Sequence, residues 1–137
     1  MASAEVMTTQ YLETHGCSVG DARSWNPYCK RRHDLFGFID LVALHPGRCM
    51  TIAIQATIGM NNRPARHKKI AESKEALDWV KSGRDNSIQV FTWRKIKAIR
   101  HDGKKAKREI WKPVIDEIYF DRITLKIVRD DDIEWSE

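Results

Sequence analysis

Cysteine is scarce: Cys17, Cys29 and Cys49 are an odd number with no CxxC pair. A disulfide framework is therefore not expected, and a reducing cytoplasm suits this usage better. Cys29 and His33 can be drawn with Cys17 and His15 as a zinc site, but the spacings match no standard knuckle. Long apolar runs are missing as well. The longest, Phe36 to Leu44 and Ile52 to Ile54, are broken by Asp40 and Gln55 and fall far short of a bilayer span, so no transmembrane helix is expected. The N-terminus shows neither a basic n-region nor an apolar h-region, which argues against a standard signal peptide. There is no internal repeat, low-complexity stretch or long linker. No helix-turn-helix, zinc-finger or RNA-binding signature appears, and no Gly-rich phosphate loop.

What is there suits one soluble α/β domain. The 137 residues are 42% hydrophobic and 31% charged, enough for a single core. Lys and Arg number 24 against 19 Asp and Glu, a net charge of +5, which alone identifies no nucleic-acid binder. Ala4 to His15 reads as a helix that Gly16 ends. A short strand falls around Val19 to Trp25, followed by a turn at Asn26-Pro27 and the basic cluster Lys30-Arg31-Arg32-His33. Phe36 to Leu44 and Met50 to Ile58 read as two strands of a hairpin buried on both faces, since neither alternates cleanly. Arg63 to Ser82 predicts one long helix with the stripe Ile70, Ser73, Leu77 and Val80, ended by Gly83. Ser87 to Trp93 is a third clear strand. Beyond it lie a basic stretch from Arg94 to Arg108, peripheral strands or short helices at Ile110 to Ile118 and Ile123 to Val128, and an acidic tail at Asp130 to Asp132. The order predicts an α/β sandwich around a small mixed sheet, with a core over about 4–93 and a basic appendage over about 94–137.

Two residues carry the most information about chemistry. Asp40 interrupts an apolar strand, and a carboxylate there must be paired, hydrogen bonded or bound to metal. Gln55 interrupts the neighbouring strand in the same way. Across a short hairpin the two side chains can meet, and two buried oxygen donors on paired strands suit a divalent cation. The blander alternative is that Asp40 caps a loop and Gln55 bonds to nearby backbone.

The order of Glu5 on a helix, Ile39-Asp40-Leu41-Val42-Ala43, Ile54-Gln55-Ala56-Thr57 and then a basic helix resembles the PD-(D/E)XK nuclease superfamily. It is most similar to archaeal Holliday junction resolvases and related phage-type nucleases. The resemblance covers roughly residues 4–93 through short motifs, whose order carries the weight. It implies a restriction-endonuclease-like αβββαβ core and a metal-dependent DNA endonuclease, with branched or recombination-intermediate DNA as the candidate structure-specific substrate. It also implies a Mg²⁺ or Mn²⁺ cofactor, a homodimer as the candidate assembly and a bacterial, archaeal or phage-infected cytoplasm. The implied metal ligands are Asp40, Gln55 and Glu5, with Glu13 as the fallback acid. The family's E-x-K is here Gln55-x-Thr57, so one carboxylate is replaced by an amide and the lysine is absent. Lys68 or Lys69 on the following helix can replace that lysine, with Lys69 favoured beside Ile70, and Arg66 can reach Gln55 or a phosphate.

Asp34 joins the metal site only if the chain turns at Gly37. A straight strand would leave it about 20 Å from Asp40. The expected DNA contacts are Lys30, Arg31, Arg32, Arg63, Arg66, Arg94, Lys95, Lys104 and Lys105. Trp25, Trp93 and Trp111 are candidates for stacking on unpaired bases, against the commoner role of a core tryptophan. Two other functions compete. One is a catalytically inactive DNA-binding protein on the same fold, in which Gln55 and Thr57 record lost chemistry. The other is a basic protein binding RNA or a protein partner on an unrelated scaffold, which predicts Asp40 and Gln55 far apart or bonded only to backbone.

Overall fold

The computed structural model describes residues 3–99, 102–120 and 125–128. Helix α1 (Ala4–Thr14) starts where Ser3 accepts a hydrogen bond from the Val6 amide at 3.2 Å. Strands β1 (Ser18–Asp21), β2 (Ser24–Asn26), β3 (Arg31–His33), β4 (Leu41–His45) and β5 (Met50–Ile58) follow. Helices α2 (Arg63–Ala71) and α3 (Lys74–Ser82) then lead to β6 (Asn86–Ile99), β7 (Lys105–Phe120) and β8 (Leu125–Val128). Six strands form one mixed sheet in the order β1-β4-β5-β6-β7-β8, while β2 and β3 make a separate hairpin. Among the described strands only the β5–β6 pairing is parallel, because α2 and α3 carry the chain back across the sheet between them.

Both faces of the sheet are covered, which is why β5 lacks a clean alternation. On one face Ile52, Ile54, Ala56, Phe91, Trp93 and Ile115 pack with Met7 and Leu12 of α1. On the other, Ala53, Ile88, Val90 and Ile118 pack with Ile70 and Ala76 of α2 and α3 and with Phe38 and Ile39. Strand periodicity puts Gln55 and Thr57 on this second face, beneath α2. No helix among the described residues is long and apolar enough to cross a membrane.

Several boundaries differ from expectation. The helix expected over Arg63 to Ser82 is two helices. Ser73, placed in the apolar stripe, instead turns extended and caps α3 by accepting from the Ala76 amide at 3.1 Å. The strand expected from Phe36 begins only at Leu41, since residues 35–39 form a turn closed by Leu35–Ile39 hydrogen bonds of 3.0 and 2.9 Å. Val19 to Trp25 is divided between β1 and β2, which belong to different sheets. The boundary between 93 and 94 falls inside β6. Ile115 and Ile118 of β7, expected to be peripheral, are buried in the two cores. Dense Lys and Arg hid this pairing, because exposed basic residues interrupt the apolar pattern of both strands, and the one large ring among them, Trp111, packs on the first core. Ile123, Arg100 and Asp130 to Asp132 lie outside the described residues.

Candidate metal and nucleic-acid site

Asp40 sits one residue before β4, where its backbone is held on both sides. Its amide donates to the Ile54 carbonyl at 2.8 Å, and its carbonyl accepts from the Ala22 amide at 3.0 Å. Its carboxylate Oδ2 accepts from the Gln55 Nε2 at 2.6 Å and from the Ala56 amide at 2.9 Å. The two polar interruptions of the apolar strands therefore meet side chain to side chain. That contact is the one the unrelated-scaffold reading excludes.

The site is short of positive charge. Asp40 is 4% exposed and forms no ion pair among the described residues. Burial pushes its carboxyl up to about 7, and the neighbouring Asp34 carboxyl adds to the rise by hydrogen bonding and repulsion. The Ala56 amide opposes the shift, and the charge of Glu5 reinforces it. At the other end of the amide, the buried Gln55 Oε1 has no hydrogen-bond partner among the described residues.

Asp34 is brought in by the tight turn. Gly37 lies at φ 80° and Phe36 at φ 54°, and the Gly37 amide donates to the Asp34 carbonyl at 3.1 Å. Left-handed backbone is natural for glycine but strained for phenylalanine. Lys69 Nζ, from the far end of α2, reaches Asp34 Oδ2 at 3.3 Å. Lys68, the other lysine candidate, points away and stands 4.0 Å from Glu72 on the exposed side of the helix. Successive helical residues are about 100° apart, so only one of the two can face the turn.

Glu5 is engaged elsewhere. Its Oε1 pairs with Arg23 Nη1 at 3.2 Å, and Arg23 also binds Asp21 at 2.9 Å. Asp21 in turn holds Arg32 at 3.0 Å. Glu5, Asp21, Arg23 and Arg32 line an open groove of about 610 Å³, which Glu13 also borders. The sequence reading missed Arg23, whose charge is felt by both Glu5 and Asp40. Among the described residues no three His, Cys, Asp or Glu side chains are grouped to hold a metal ion. The structure thus joins Asp34, Asp40, Gln55 and Lys69, and leaves Glu5 beside them in an ion-pair network.

The donor set nevertheless fits a hard divalent cation. Two crowded carboxyl groups and a buried, unpartnered amide oxygen are all oxygen donors, as Mg²⁺ and Mn²⁺ require. A cation there would relieve the repulsion that raises the Asp40 carboxyl.

The expected phosphate contacts divide. Arg63 makes a two-pronged pair with the buried Asp116 at 2.6 and 2.7 Å, joined by His67 at 3.0 Å. It is therefore a structural clamp between α2 and β7 and is not available to DNA. Burial opposes ionisation of Asp116, but the His67 and Arg63 hydrogen bonds outweigh it and hold the carboxyl below its usual range. Arg66 is half-buried, its Nε has no partner, and no ion pair engages it among the described residues. Lys30, Arg31, Arg94, Lys95 and Lys104 are exposed, and Arg32 is exposed but paired with Asp21. The Lys105 side chain lies outside the described ones. Trp93 is not a stacking platform: it is buried, and its Nε1 donates to Thr8 Oγ1 at 2.8 Å. Trp25 is exposed, while Trp111 lies under Lys95, whose Nζ is 5.2 Å from the ring centroid.

No protein-family model, curated protein or solved structure matches the chain. The functional reading rests on its own residues.

Proposed function

We propose that the chain is a metal-dependent DNA endonuclease of the PD-(D/E)XK type. The observation that carries the reading is the bond between Asp40 and Gln55, crowded by Asp34 and flanked by Lys69. The connectivity supports it too: α1, the antiparallel strands β1, β4 and β5, the α2–α3 crossover and parallel β6 follow the αβββαβ order of a restriction-endonuclease-like core.

Asp40, Asp34 and the Gln55 carbonyl oxygen would hold the ion. A bound Mg²⁺ or Mn²⁺ supplies Lewis acidity toward a phosphate oxygen and lowers the pKa of water beside it. The protein's own groups do the rest. Gln55 Nε2 and the Ala56 amide fix the Asp40 carboxylate, leaving its other oxygen for the ion. Lys69, held by Asp34, offers positive charge where negative charge grows on the phosphate, the part that Thr57 cannot play. The exposed Lys30 and Arg31 supply sequence-independent attraction to the backbone of the substrate.

The test is cleavage of labelled four-way junction, flap and duplex DNA in Mg²⁺, Mn²⁺ or EDTA. The reading expects metal-dependent cutting that Asp40→Ala abolishes while the fold persists by circular dichroism. Binding without cutting in any metal overturns it in favour of an inactive DNA-binding protein. A preference for junctions calls for two sites, and hence for a dimer.

A further inference from the structure

The pairing of β5 with β6 ends at Ile58 and Trp93, and β8 pairs only with residues 117–120 of β7. Among the described residues, β6 from Arg94 onward therefore has no strand neighbour except β7, with Arg94 opposite Lys112, Lys95 opposite Trp111 and Ile96 opposite Ile110. The result is a two-stranded ribbon that runs on beyond the sheet for residues 94–99 and 105–112. At about 3.4 Å per residue, six residues extend it roughly 20 Å.

Its side chains are mostly basic and exposed. Arg94, Lys95, Lys97, Lys107, Arg108 and Lys112 all face solvent, against only Asp102 and Glu109 of the opposite sign. An isolated two-stranded ribbon is marginal in water, so its order needs internal support. Lys95 over the Trp111 ring and the facing Ile96 and Ile110 provide it. Among the described residues no third strand pairs with either ribbon edge, and dense lysine repels a second copy or another strand. A polyanion is the partner that this charge admits.

We propose that this ribbon is an arm that enters the major groove of duplex DNA. A two-stranded ribbon fits the groove of about 12 Å in B-form DNA, whereas the A-form groove of duplex RNA is too deep and narrow. The ribbon starts four residues beyond Val90, the register partner of Gln55, so its base lies about 13 Å along β6 from the carboxylate row. A duplex held by the arm therefore passes beside Asp34 and Asp40. Only this last placement rests on the nuclease reading; the arm's grip on a duplex does not.

The experiment is fluorescence anisotropy of the full chain with a 20-base-pair DNA duplex and the matching RNA duplex, in EDTA, across a salt series. The triple variant Lys97→Gln/Lys107→Gln/Arg108→Gln is compared with Lys74→Gln/Lys81→Gln/Arg84→Gln, which removes the same charge from the outer surface of α3 and the following turn. Circular dichroism confirms that both variants fold. For the ribbon variant the slope of log affinity against log salt should shrink by about 2.7, or 0.9 per phosphate contact, and by less than about 1 for the surface variant. The RNA duplex should bind at least ~10-fold more weakly than the DNA duplex. Equal slopes for the two variants, equal affinity for DNA and RNA, or no binding of duplex DNA by the wild type would each overturn the arm. Duplex binding that follows these expectations without any cleavage in Mg²⁺ or Mn²⁺ sinks the nuclease reading and leaves the arm standing.

Discussion

Replacing Asp40 by Asn should make the metal-free protein more stable at neutral pH, although it removes the residue the proposed chemistry needs most. The Asp40 carboxyl rises from 3.8 to about 7 on folding, because it is buried and crowded by Asp34. Between those values the folded chain holds a proton that the unfolded chain has released. Stability therefore falls as pH climbs from about 4 to 7, then levels off above the folded value. At about 1.4 kcal/mol per unit, three units amount to about 4 kcal/mol lost by pH 8. Asn retains the bonds that Asp40 accepts from Gln55 and Ala56, and its amide hydrogens can donate to Asp34. Urea denaturation in EDTA at half-unit steps from pH 4 to 9 reads the effect. The wild-type midpoint should fall toward pH 7 while that of Asp40→Asn stays flatter, with the variant the more stable at pH 8. Magnesium should then restore the wild type and leave the variant unmoved, since only a ligand that binds the folded state stabilises it. A variant less stable than wild type at pH 8, or a wild type indifferent to pH over this range, would refute the crowded-carboxylate account.

Three further outcomes follow from the same geometry. Arg63→Ala leaves the buried Asp116 with His67 alone and should destabilise the protein by about 3–5 kcal/mol in urea or thermal unfolding; a loss under about 1 kcal/mol would return Arg63 to the list of surface cations. Gln55→Glu adds a carboxylate but removes the donor to Asp40, so it should tighten Mn²⁺ binding by ~10-fold or more in calorimetry while lowering metal-free stability above pH 7. Unchanged affinity would mean that Gln55 does not face the ion. Lys69→Ala should lower the rate of cleavage by about 10²-fold, whereas Lys68→Ala, exposed beside Glu72, should change it less than about 2-fold; equal effects would contradict the assignment of Lys69.

The part of the site that could be read from sequence is the part written as local contradiction. Asp40 and Gln55 stand out because each interrupts an apolar strand, and burial forces such residues to find partners. Their short hairpin separation then leaves few ways to place them except side by side. Asp34 was legible only conditionally, because its arrival depends on left-handed backbone at Phe36 and Gly37. Arg63 and Arg66 are both basic residues on the same helix. One is clamped to a carboxylate 53 positions away, and the other has an unpartnered Nε.

By itself, then, the sequence determined the α/β class, the burial of β5 on both faces and the need of Asp40 and Gln55 for partners; β4, expected to be buried likewise, exposes Leu44. Each is decided by residue period and by the penalty on isolated polar groups, quantities that neighbours along the chain already contain. Only the tertiary structure decided which cations face the carboxylates, that Glu5 is held by Arg23, and that β7 joins the sheet beside β6 and extends with it as a ribbon. Those outcomes depend on which distant segments meet. Loop closure and packing settle that for the whole chain at once, and no window of sequence holds the balance.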